Sequence, residues 1–153
     1  MNKISKRVQD SFFSALVLMM ATVLLVVGYL VAPVLFSALP AKQAGDIAGT
    51  LFALSSTVLV LGLSGICLFK LFKGQALSVK SLWIALGILL VLKFFISPWM
   101  AVIKSAYPLG LTRESADFGL FMSIHGAYQL GYLAIVILLL TWSYSTISKG
   151  FRA

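Results

Sequence analysis

Four long apolar runs, separated by short polar segments, make up most of the chain. They cover roughly Phe12–Phe36, Ile47–Phe69, Leu82–Ile103 and Phe118–Tyr144. A hydrocarbon core about 30 Å thick takes about 20 apolar residues in helical form, and each run meets that length. A membrane barrel would instead show shorter alternating segments. The pattern therefore predicts an all-α fold: one transmembrane domain, residues 1–153, arranged as a four-helix bundle. The first run follows Lys3, Lys6 and Arg7, as a signal peptide would. It is longer than the apolar core of about 7–15 residues that signal peptides carry, so a retained helix is expected.

The links are short, which makes sequential helices antiparallel neighbours. Pro40 suits the first turn of the second helix. Gly74 marks a helix stop in the second link. The third link is the longest, with Pro108 and Gly110 as breakers and Ser115 or Asp117 as an N-cap for the fourth helix.

Composition agrees with the pattern. The chain is 61% hydrophobic and 10% charged, whereas soluble domains carry about 25% charged residues. The formal net charge of +8 could suggest nucleic acid, but the basic residues are dispersed in short segments with no binding motif, and no nucleic-acid partner is expected. Their distribution instead sets orientation. Lys3, Lys6, Arg7, Lys70, Lys73, Lys80, Lys149 and Arg152 lie on one side of the spans. Lys42, Lys104 and Arg113 lie on the other, together with Asp46, Glu114 and Asp117. Both termini are therefore expected in the cytoplasm, with the protein in the plasma (inner) membrane. Cys67 is the one cysteine, so neither an intramolecular disulfide nor a two-cysteine metal motif can form.

Few residues offer chemistry. His125, Tyr128, Gln129 and Tyr132 fall at i, i+3, i+4 and i+7, on one helical face expected to turn inward. Lys93 lies mid-span, where a lysine costs roughly 2.5–3.5 kcal/mol to insert. No Asp or Glu lies within the apolar runs, and Asp46 is its nearest carboxylate by depth. Pro33 and Pro98 should each kink a helix and free a carbonyl. Gly45 and Gly49 form a small-xxx-small pair. Gly126 and Gly131 could let another helix come close. With alternating helix directions, Pro33, Asp46, Pro98 and His125 fall near one membrane face and Lys93 just below. This predicts a polar cavity open to the non-cytoplasmic side, with His125, Lys93, Asp46, Tyr128 and Gln129 as its ligand-binding residues. Met122 lies one turn from His125, so thioether and imidazole could hold copper(I). Alternatively, His125 could ligate haem, although a second histidine ligand is absent. No phosphate loop, nucleophile elbow or zinc-binding histidine pair occurs.

The stretch "VAPVLFSALPAKQAGDIAGTLF", residues 31–52, resembles the signature of a family of small four-helix membrane proteins of unknown function. These are bacterial relatives of the transmembrane protein 205 family. Pro33, Phe36, Leu39, Ala44, Gly45, Leu51 and Phe52 carry the resemblance, with Pro98 late in the third helix and His125–Gly126 early in the fourth. It implies a four-helix membrane fold and no established reaction. Lys93 departs from it, since relatives often place an asparagine upstream of the third-helix proline. More distant similarity to copper-resistance and haem-biosynthesis membrane proteins implies metal or tetrapyrrole chemistry. Three functions stay open: a non-enzymatic protein binding or moving a small ligand or metal ion, a haem- or copper-linked redox protein, and an assembly partner. A homo-oligomer or another membrane protein is the expected partner, within the lipid bilayer.

Overall fold

A computed structural model describes residues 3–152, with side chains described for residues 7–149. The side chains of Lys3, Lys6 and Arg152, which enter the orientation argument, lie outside that range. The described chain is helical, without strands. Helix α1 (Lys3–Leu25) runs through a π-helical turn (Val26–Val31) into α2 (Ala32–Ala38). Helix α3 (Ala41–Phe72) follows, then a short 3-10 turn (Ala76–Val79) and α4 (Lys80–Val91). A second π-helical turn (Leu92–Ile96) leads to α5 (Ser97–Ser105), and α6 (Phe118–Arg152) completes the chain. Four stretches are long and apolar enough to cross a membrane: Arg7–Ala38, Ala41–Phe72, Ala76–Ser105 and Phe118–Lys149. This is a multi-pass membrane protein built as a four-helix bundle.

The helices outrun the apolar runs. The second begins at Ala41, with Pro40 as its cap, rather than near Ile47. Lys42 and Asp46 pair at i, i+4 within the added turns, 3.1 Å apart, so polar residues are accommodated in helix and not in loop. Its far end is set by Gly74, whose φ of +68° is the left-handed conformation a glycine adopts at little cost. The amides of Gly74 and Gln75 reach back to the carbonyls of Leu71 and Lys70, which closes the helix with a Schellman motif. At the start of α6, Asp117 occupies the cap position, and its carboxylate accepts from the Tyr107 hydroxyl at 3.0 Å.

Helical spacing places Val17, Ala21 and Leu24 of α1 in the core, with Leu59, Leu63 and Ile66 of α3. Leu82, Ala85 and Leu89 of α4 join them, as do Ile135, Val136 and Leu139 of α6. The half of the bundle that holds the start of α1, the end of α6 and the second link, the proximal half, is also tied by polar contacts. Ser14 and Ser143 each donate to the other's carbonyl, at 3.2 and 3.4 Å. Trp142 donates its indole N–H to the Ser78 carbonyl at 2.9 Å. The distal half is looser. Neither α2 nor the π turn before it contributes a buried residue, and α5 contributes Ile103 alone. There α2 packs on α3 and α5 on α6, with little backbone approach between the two pairs.

Candidate functional site

Each proline sits just beyond a π turn. The amide of Ala32, before Pro33, bonds to the Val27 carbonyl, and that of Ser97, before Pro98, bonds to the Leu92 carbonyl. These are i−5 bonds. In that register the next carbonyls, of Gly28 and Lys93, would need the amide hydrogen that proline lacks. Both turns lie against α6. A Cβ on Gly28 would come within 3.2 Å of the Tyr132 ring, and one on Gly131 within 3.0 Å of Leu92. Close approach thus falls at Gly28 and Gly131. It also falls at Gly62, where Met20 of α1 fills the space of a Cβ. Gly49 and Gly126, marked by the sequence for packing, have open space in this chain; Gly45 has Phe36 and the Lys104 ammonium for neighbours.

Lys93 follows from the second π turn. Its ammonium donates to Thr57 Oγ1 at 2.8 Å, Ser56 Oγ at 3.3 Å and the Ala53 carbonyl at 3.4 Å, and lies 6.0 Å from the Phe94 ring centre. Three donors therefore meet three neutral acceptors on α3. Interhelical hydrogen bonds in membranes average about 0.6 kcal/mol, so the three together return about 2 kcal/mol of a roughly 3 kcal/mol insertion cost. Among the described residues no carboxylate pairs with it. The carboxylate expected nearest, Asp46, is held by Lys42 and Lys104, at 3.1 and 2.9 Å. Lys93 is half-buried, and Thr57 and Phe94 beside it are exposed on the membrane-facing side.

The polar stripe on α6 divides. Tyr128 and Tyr132 turn into the core, edge-on to Phe52 at 6.0 and 5.0 Å between ring centres. Among the described residues the buried Tyr132 hydroxyl has no hydrogen-bond partner. His125 is half-buried and stacks on Phe121, while Gln129 is exposed. The Gln129 amide nitrogen and His125 Nε2 are 3.1 Å apart. With the amide donating, the ring accepts there and is the neutral Nδ1–H tautomer. The divergence has a geometric cause: residues at i+3 and i+4 lie about 100° apart around a helix, so one pair meets the core and the other leaves it. No hydrogen bond or ion pair joins any two of His125, Lys93, Asp46 and Tyr128. The sequence expected one shared cavity; in the structure Lys93, Asp46, Tyr128 and the His125–Gln129 pair each have partners of their own.

Met122 is exposed one turn from His125. Among the described residues no three His, Cys, Asp or Glu side chains converge, so a metal at His125 would depend on further ligands. An apolar groove of about 190 Å³ runs between α1 and α3, lined by Leu16, Met19, Met20, Val23, Val58 and Leu59. Its walls suit hydrocarbon and offer nothing to orient a polar molecule.

One polar cluster escaped the sequence. Lys70 lies at the proximal end of α3 with its side chain 4% exposed, paired with Asp10 of α1. It also donates to Gln75 Oε1 at 3.2 Å and sits over the Phe13 ring. The clue was Asp10, an acid just before the first apolar run, opposite a lysine at the end of the second.

The family model for a domain of unknown function, DUF4149, matches residues 18–107. That is more than half of the chain. The chain belongs to this family. No curated protein and no solved structure matches it. The DUF4149 match takes in both π turns, both prolines, Asp46 and the whole Lys93 site, and it ends before His125.

Proposed function

We propose that this DUF4149 protein is a non-catalytic membrane protein that binds an acidic group inside the bilayer, with the Lys93 ammonium as the binding centre. One observation carries the reading: a mid-span cation held by Ser56, Thr57 and the Ala53 carbonyl, with no carboxylate beside it among the described residues. Neutral acceptors fix the position of the ammonium and leave its charge uncompensated. In a medium of low dielectric, an acid brought to that position gains far more than it would in water. Asp46 is neutralised by its own lysines, and Tyr128 serves aromatic packing. His125 and Gln129 form a separate pair, so the reading centres on Lys93.

The test uses the protein in lipid nanodiscs and tetraphenylborate, an anion that enters the bilayer. Retention above that of empty discs should saturate for the wild type and for Lys93→Arg, and should vanish for Lys93→Met. Equal retention by the wild type and Lys93→Met would sink the reading.

We also propose the plasma membrane as its location, with both termini in the cytoplasm. The excess of Lys and Arg on the proximal side supports this orientation. Arg113→Cys in a Cys67→Ala background should react with an impermeant maleimide on intact cells. Labelling only after lysis would reverse the topology.

A further inference from the structure

We infer that the acid at Lys93 is an Asp or Glu side chain midway along a transmembrane helix of a different protein, docked on the seam between α3 and the second π turn. The inference rests on the Lys93 reading and names its occupant.

Depth is the first argument. Ser56 and Thr57 lie near the middle of the span Ala41–Phe72, and Lys93 near the middle of Ala76–Ser105. With a hydrocarbon core about 30 Å thick, lipid phosphates and carboxylates lie about 15 Å away at either surface. A lysine tied to Thr57 does not reach them. The large exposed side chains around the seam are Leu54, Val58, Val91, Phe94 and Phe95. Between Asp46 and Thr57 the one exposed polar side chain on that face of α3 is Thr50, whose hydroxyl is spent on the Asp46 carbonyl, so a soluble anion meets a largely apolar surface on the way inward. The acid must therefore arrive on an apolar body, and a membrane-spanning helix is such a body.

A second copy of this chain cannot supply it. Its four acids are Asp10, Asp46, Glu114 and Asp117. Asp10 is paired with Lys70 near the proximal end, and Asp46 with Lys42 and Lys104 near the distal end. Glu114 and Asp117 lie in the third link. None is at mid-depth, so charge complementarity points to another protein.

The shape of the seam agrees. Gly49, Ala53 and Thr57 follow one another at i+4 on α3, all exposed, and Gly49 has open space where a Cβ would stand. Small residues at this spacing let two backbones approach, as a short Asp or Glu side chain needs in order to reach the ammonium. The incoming carboxylate would replace the longest of the three present bonds, that to the Ala53 carbonyl at 3.4 Å, and leave Thr57 as a second partner.

The experiment is energy transfer between the donor-labelled full chain and acceptor-labelled Leu/Ala peptides of about 22 residues, long enough to span the membrane, co-reconstituted in lipid vesicles. The peptides carry a central Glu, a central Gln, or a Glu moved two turns toward one end. The central-Glu peptide should associate about tenfold more strongly than the central-Gln peptide, a difference of about 1.4 kcal/mol. Lys93→Met should remove that preference, and Lys93→Arg should keep it. Equal association of the Glu and Gln peptides overturns the inference, as does a preference that persists in Lys93→Met or favours the displaced Glu. Lys93-dependent tetraphenylborate binding without any peptide preference would remove the partner helix alone. Loss of both would remove the Lys93 reading with it.

Discussion

A buried lysine and a carboxylate join the beginning of α1 to the end of α3. Lys70 is buried under Phe13 and Gln75, so its charge depends on Asp10. Breaking a fully buried ion pair typically costs 3–5 kcal/mol. Asp10 is 30% exposed, and Gln75 still accepts from the ammonium. Asp10→Asn should therefore lower the unfolding free energy by about 2 kcal/mol in a detergent denaturation series. The double variant Asp10→Asn with Lys70→Met should lose less than the two single losses added together, because no stranded charge remains. Additive losses would show that the pair is not coupled. Sequence reasoning counted Lys70 among the loop lysines that set orientation. The pairing was hidden because Asp10 and Lys70 are 60 positions apart and meet only once α1 and α3 are packed. Lys93 shows the complementary case. That no acid shares its apolar run was legible from the sequence, whereas the engagement of Asp46, its nearest carboxylate by depth, with Lys42 and Lys104 was not. The neutral acceptors of Lys93 were not legible either, because serine and threonine occur throughout α3 and only packing selects Ser56 and Thr57.

Helix ends and helix irregularities followed local chemistry to different degrees. Gly74 was recognisable as a stop, and its φ of +68° shows why: an L side chain there enters the left-handed region. Gly74→Ala should destabilise the protein by about 1 kcal/mol, with the fold unchanged by circular dichroism. A neutral or stabilising result would mean that α3 ends by another route. The start of the same helix was legible in part: Pro40 marked its first turn, but the apolar run begins only near Ile47, and the pairing of Lys42 and Lys104 with Asp46 in the turns between could not be read from the pattern. Proline signalled a disturbance in the first and third spans, and the structure gives its form. In each span the disturbance is a π turn that ends two residues before the proline and packs against α6. Periodicity could not reveal this, since a one-residue widening inside an almost wholly apolar run shifts no polar stripe, and Lys93 alone in the second turn sets no phase to compare with.

Across the whole bundle, packing is uneven, and the π turns fall where it changes. The proximal half has continuous core stripes, the reciprocal Ser14–Ser143 bonds and the Lys70–Asp10 pair. The distal half relies on α2 against α3, α5 against α6, and the reach of Lys104 to Asp46. Segments with few buried contacts open at lower free energy than the core around them. Spin labels in a Cys67→Ala background make this measurable in lipid bilayers. A proximal pair at Phe72→Cys and Tyr144→Cys and a distal pair at Val34→Cys and Met122→Cys all replace exposed side chains. The distal pair should give the broader distance distribution. If the Lys104–Asp46 contact restrains that end, Lys104→Met should broaden the distal distribution further and leave the proximal one unchanged. A distal distribution as narrow as the proximal one would mean that a surface ion pair and two short helices hold that half as firmly as a continuous core. That outcome runs against the small contribution of exposed ion pairs, about 0–1 kcal/mol each.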